Sequence, residues 1–170
     1  MALAAPEESV LGISADLIRQ VVEGSRISPR QRMILPLHKS GPALLQRMLN
    51  AVQPGTYIRP HRHAAGRAES IIVLQGAIRL QVFNEDGALF QSLEIRAGSP
   101  TFGIDLEGGT WHSFQSLEPD TVLFEVKPGP YNPETDKEFA PWAPEEFSDE
   151  AATYLETLAQ AQHGAEHRAT

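Results

Sequence analysis

The sequence predicts a mainly β protein, a small antiparallel sandwich or barrel with one helix before it and one after. Three observations carry that reading. From about residue 43 the chain becomes a series of short β-like runs separated by turn residues, spaced roughly eight to twelve residues apart. An apolar stripe at helical spacing precedes them, and an amphipathic stretch follows them.

The elements follow in chain order. Ser14 caps a helix whose apolar stripe is Leu17, Ile18, Val21 and Val22, ending before Gly24. "SPRQRMILPLHKSGPA" reads as a basic, proline-punctuated arm. "LLQRMLNAV" fits helix or strand equally by pattern. "TYIRPHRH" alternates like an extended segment until "AAGRA" interrupts it. "ESIIVLQG", "AIRLQVF" and "LFQSLEIRAG" read as strands, and "NEDG" (84–87) is a hairpin turn. "TFGIDLEGGTWHSFQSL" and, after "EPD", "TVLFEVK" complete the β-rich part. "KPGPYNPETDKEFAPWAPEE" is rich in proline and aromatic residues and should wrap over the barrel. "SDEAATYLETLAQAQ" is an amphipathic helix capped by Ser148, with Tyr154, Leu155 and Leu158 facing inward. The expected division is an N-terminal helix and arm (1–42), a β-barrel (43–130) and a C-terminal wrap and helix (131–170). Together they make one structural domain.

The chain has 170 residues, a formal charge of −8 and no cysteine. That charge disfavours nucleic acid and anionic membrane surfaces, because phosphates repel an acidic protein. Its apolar runs, such as "IIVL", are far too short to span a bilayer. "MALAAPEESV" makes a poor signal peptide, so a cytoplasmic address is expected. Without cysteine there is neither a disulfide framework nor thiolate chemistry. Arg26, Arg30 and Arg32 form a local basic cluster, read either as a packed or solvated segment or as a clamp for a carboxylate or phosphate.

The chemistry concentrates in "PGTYIRPHRHAAGRAES". Residues two apart on a strand share a face, so His61 and His63 project side by side, close enough to share one ion. Glu69 returns after a short turn, Gly76 closes the hairpin, and His112 in "GGTWHSF" offers a fourth ligand from far along the chain. His163 and His167 have the i, i+4 spacing of a helical metal site but fall in a tail expected to fray. Trp111 alternates with His112 and should point to the opposite face.

These residues carry a family resemblance. Gly55, five residues, HxH, a spacer, Glu69, six residues and Gly76 resemble the first cupin motif, and "EGGTWH" resembles the second. The wider text is similar to the WbuC-type cupin-fold metalloproteins, some encoded among O-antigen polysaccharide genes in bacteria. It includes "SPRQRMILPLH", "QRMLNAVQPGTYIRPHRH" and "LFEVKPGPYNPETDKEFAPWAP", and spans about residues 26 to 146. The spacer before Glu69 has five residues where the general pattern has three or four. Glu107 stands at a usual proline and Ser116 at a usual asparagine. The resemblance implies an RmlC-like jelly roll, a homodimer, and His61, His63, Glu69 and His112 around one divalent transition metal.

Three imidazoles and a carboxylate suit Fe, Mn, Ni or Zn, acting as a Lewis acid or an oxygen-activating centre. Gln46, Arg47, Asn50 and Tyr57, with His38 and Arg32, are the candidate residues for orienting a small polar ligand. Lys127, Tyr131 and Trp142 are candidates for a cover over the opening. The leading expectation is an enzyme acting on a sugar, sugar nucleotide or small carboxylate, isomerase-like or dioxygenase-like. The alternative is a non-catalytic module that holds a small molecule through the metal.

Overall fold

A computed structural model describes residues 2–161, so His163 and His167 lie outside the described residues. The elements are α1 (Ala15–Ile27), β1 (Arg32–Pro36), β2 (Leu45–Val52), β3 (His61–Arg62), β4 (Glu69–Gln75), β5 (Ala77–Phe83), β6 (Leu89–Arg96), β7 (Gly103–Leu106), β8 (Trp111–Ser116), β9 (Thr121–Pro128), β10 (Glu138–Phe139) and α2 (Asp149–Gln160). They form two five-stranded antiparallel sheets, ordered β1-β2-β9-β4-β7 and β10-β3-β8-β5-β6. This is the jelly-roll architecture of the cupin fold, with a helix at each end of the chain.

The ambiguous run "LLQRMLNAV" is strand β2, because it lies between β1 and β9 in a continuous ladder. Sheet pairing also reaches into the arm: β1 alternates half-buried and buried positions, with Met33 and Leu35 buried on the outer face against α1 and Pro36 ending the strand. The turn at residues 84–87 closes the β5–β6 hairpin, with a register shift where Phe83 faces Leu89. Between β4 and β5, Gly76 adopts φ +75°, and a Cβ there would stand 2.3 Å from Thr121 Oγ1. Only glycine fits that turn.

Period-two alternation decides what enters the barrel. Val52, Ile71, Val73, Ile78, Leu80, Ile95, Leu106, Phe114 and Leu123 form one apolar cluster. Along β4 and β9 the same inward rows continue as Glu69 and as Glu125 and Lys127, so one end of the barrel is apolar and the other polar. Two further clusters cover the outer faces. Val21 and Val22 of α1 pack with Met33, Leu35, Leu49, Ala51 and Val122, each buried side chain of this size contributing about 1.5–3 kcal/mol. On the other sheet Phe83 and Trp111 pack with Ala140, Ala143 and Leu158 of the wrap and α2.

Two details differ from the sequence-based expectation. α1 runs through buried Gly24 to Ile27, and Ser28 ends it with its N–H donating to the Ser25 carbonyl. Tertiary packing against Met33 outweighs the modest helix penalty of one glycine. Ser14 caps α1 as expected, accepting from Leu17 N at 3.3 Å. Ser148 occupies the N-cap position of α2 without a side-chain capping bond. Leu158 is buried, whereas Tyr154 and Leu155 are only half-buried.

Candidate metal centre and its pocket

His61 lies on β3 directly opposite His112 on β8, with ring centroids 4.6 Å apart. His63 follows β3 on the same face, and Glu69 opens β4 on the facing sheet. All four side chains are buried. The two motifs are tied by backbone: Gly109 N–H donates to the His63 carbonyl at 2.8 Å. At Gly108 a Cβ would come within 2.3 Å of the Ala64 carbonyl, so the glycine pair lets the second motif approach the first.

Each imidazole is oriented by a backbone carbonyl. Nδ1 of His61 is 3.0 Å from the Arg59 oxygen, Nδ1 of His63 is 2.6 Å from that of Asp136, and Nδ1 of His112 is 2.9 Å from that of Thr110. A carbonyl only accepts, so each Nδ1 carries a proton and Nε2 is the atom left to face the site. Nε2 of His63 and of His112 are buried with no hydrogen-bond partner. They stand 3.6 and 3.5 Å from Glu69 Oε2. Lone pairs facing a carboxylate repel unless a cation or proton lies between them. Ligand atoms about 2.0–2.2 Å from one ion lie roughly 3.0–3.5 Å apart, which these spacings match. The three histidines offer ligand nitrogens within 4.8 Å of one another. The residues present therefore fit a transition metal.

Electrostatics agree. Burial, and then the charge of Lys137, holds His61 well below its ordinary value, so its imidazole is neutral. Burial opposes ionisation of Glu69, but His112, His63 and Lys127 prevail and hold it well below the usual carboxylate range. A neutral His61 beside an ionised Glu69 is what coordination of a divalent ion needs of these two groups.

The cluster forms part of the wall of a cavity of about 730 Å³, into which His61, Glu69, Phe114, Glu125, Lys127 and Lys137 face. Asn50 Nδ2 donates to Glu125 Oε1 at 2.7 Å, and Lys127 pairs with Asp136 at 2.8 Å. Burial, and then the Glu69 charge, pushes the Glu125 carboxyl up to about 7.

The residues singled out for ligand orientation separate here. Gln46, Asn50, His38 and Arg32 line the cavity; Arg47 and Tyr57 do not. Arg47 sits on the outward row of β2, its guanidinium donating to the Leu37 carbonyl. Tyr57 packs edge-on against Tyr154 and donates to the Pro144 carbonyl. Gln46 donates to the carbonyls of Gly41 and Ala43, and His38 Nδ1 contacts the Arg47 backbone. Arg32 donates to Thr56 Oγ1 and the Tyr57 carbonyl and, with Arg30, grips the Glu146 carboxylate. The basic cluster thus clamps a carboxylate of its own chain, while Arg26 pairs with Asp120. Of the residues considered as a cover, Lys127 and Tyr131 line the cavity, whereas Trp142 packs on Phe83 and Trp111. Trp111 is buried on the outer face, its Nε1 donating to Glu85.

Glu125 and Lys137 were not anticipated. A signal for the first existed: in "TVLFEVK" Glu125 and Lys127 alternate in phase with buried Leu123. Nothing local marks Lys137, which reaches the cavity because β10 pairs with β3 and sets Phe139 opposite His61.

Fold and site together define a cupin-fold protein with a histidine cluster that can hold a metal ion. A family described as "Domain of unknown function (DUF6016)" matches residues 13–95. No curated protein matches. Among solved structures, a conserved protein of unknown function from Streptococcus pyogenes, SPY1581, aligns with TM-score 0.52 at 14% identity, over 76% of this chain and 98% of that one. At that identity the likeness is one of fold. KdgF from Halomonas sp. aligns at 0.48 and 17% identity, over 64% of this chain and 87% of that one. The Cnp3 cupin domain of Schizosaccharomyces pombe aligns at 0.45 and 15%, over 58% and 64%. Among the described residues, no helix is long and apolar enough to cross a membrane.

Proposed function

We propose that this chain is a metal-dependent enzyme of the WbuC-type cupin branch, acting on a small polar metabolite such as a sugar, sugar nucleotide or carboxylate, in bacterial polysaccharide biosynthesis. His61, His63, His112 and Glu69 hold one Fe, Mn, Ni or Zn ion. The observation that carries this reading is the pair of buried, unpartnered Nε2 atoms facing Glu69 at 3.5–3.6 Å beside a roomy cavity. A divalent metal held there supplies Lewis acidity, or oxygen chemistry if it is redox-active.

The chain's own residues supply the rest. The Arg59, Asp136 and Thr110 carbonyls keep the three imidazoles in one tautomer, which is the support a ligand set requires. Glu125, near neutrality and facing the cavity, can give or take a proton at a substrate atom. Phe114 and Met48 line the same space and keep part of it dry.

Metal analysis of protein prepared without chelators or nickel resin should find about one transition-metal ion per chain. Oxygen consumption and product analysis with sugar nucleotides, hydroxy acids and diketones then separate oxygenase from isomerase. Protein that stays metal-free at saturating Mn(II), Fe(II), Ni(II) and Zn(II) would overturn the proposal. Tight ligand binding without turnover would favour the binding-module reading.

A further inference from the structure

Nearly every charged group lining the cavity has a side-chain partner in contact. Arg30 and Arg32 hold Glu146, Lys127 holds Asp136, and Arg59 lies 3.8 Å from Glu145. Asn50 bonds Glu125. Lys137 is the exception: among the described residues it makes no ion pair or hydrogen bond, although it is half-buried in the cavity wall. An ammonium withdrawn from water without a carboxylate in contact is costly, and a bound anion would offset that cost.

Its neighbours on both sides are tied down. Asp136, immediately before it, accepts from His63 Nδ1 through its carbonyl and from Lys127 through its carboxylate. Glu138, immediately after it, pairs with Arg62 across β3–β10 and forms an ion pair with it. Lys137 is therefore held between the backbone support of one histidine and the strand opposite another. Beside it Phe139 lines the cavity, its ring 6.3 Å from His61 and beneath the Arg59 guanidinium at 5.3 Å. The wall next to the cluster thus offers one free cation and one apolar ring face.

We propose that Lys137 is the anion-binding group of this cavity, and that the ligand is a small hydroxy dicarboxylate, one end at the histidine–glutamate cluster and its far carboxylate on Lys137. This rests on the metal reading above. A divalent ion less the Glu69 charge leaves one positive charge, Lys137 adds a second, and the surplus arginine on Glu146 is offset when Glu125 ionises, so a dianion matches the site where a neutral sugar would not.

The test compares Mn(II)-loaded wild type with Lys137→Met and Lys137→Arg, titrated calorimetrically with glycolate, malate and 2-hydroxyglutarate after metal content and melting have been measured. Glycolate carries a single carboxylate; malate and 2-hydroxyglutarate carry a second one at two different separations. Wild type should bind at least one dicarboxylate about tenfold tighter than glycolate, as expected for one well-placed charged hydrogen bond. Lys137→Met should lose that preference, binding all three acids alike while still taking up metal, and Lys137→Arg should retain most of it. Equal binding of glycolate and both dicarboxylates by metal-loaded wild type would overturn the proposal. So would Lys137→Met binding malate and 2-hydroxyglutarate as wild type does. Failure of wild type to take up metal would instead remove the reading beneath it.

Discussion

Glu125 presses an acidic side chain into the barrel from β9, and Glu125→Gln measures what that placement costs. The carboxyl rises from its ordinary 4.5 to about 7, first because burial penalises the charged form and then because Glu69 repels it. A rise of that size corresponds to about 3 kcal/mol between the two protonation states. The folded value lies above the unfolded one, so the favourable contribution is complete below about pH 4.5 and is lost as pH rises through 7. Glutamine keeps an oxygen to accept from Asn50 Nδ2 but cannot ionise. Urea unfolding of metal-free wild type and variant should therefore give a stability difference that grows with pH, reaching about 3 kcal/mol in favour of glutamine by pH 8. Metal loading, by compensating Glu69, should shrink that difference. Parallel stability profiles from pH 4.5 to 8 would refute the reasoning.

Three further perturbations bear on the site and its frame. His112→Ala should lower metal stoichiometry well below that of wild type, and Glu69→Gln should weaken metal affinity by more than the roughly 10–100-fold typical of groups that only support a ligand, read by competition with a chromophoric chelator. Glu146→Ala leaves the mostly buried Arg32 without its carboxylate and should cost about 2 kcal/mol in chemical denaturation; Arg32→Met with Glu146→Gln should recover part of it. Gly76→Ala must place a Cβ at φ +75° against Thr121 and should destabilise by about 2–3 kcal/mol, visible as a lowered melting temperature.

A mainly β sandwich or barrel was legible because a strand's alternation and a hairpin's turn residues are local properties; the cupin assignment rested on the resemblance of the two histidine motifs. The β5–β6 hairpin, the capped α1 and the two-apart histidines all express rules spanning a few residues. "LLQRMLNAV" was not legible, since its helix and strand patterns coincide and only the ladder to β1 and β9 separates them. The placement of Arg47 depended on that same strand: once β2 forms, Gln46, Met48 and Asn50 take the inward row and Arg47 the outward one.

What the sequence by itself determined is a β-rich chain carrying two histidine-bearing segments and a glutamate with spacings suited to one strand face each. The tertiary structure decided that these segments meet, that Glu69 faces the histidines from the other sheet, and that Glu125 and Lys137 share their cavity. Spacing along a chain fixes which face a side chain takes. Which faces confront one another, and which charges are left without partners, depends on pairings between strands tens of residues apart, and those are set by burial of the whole core.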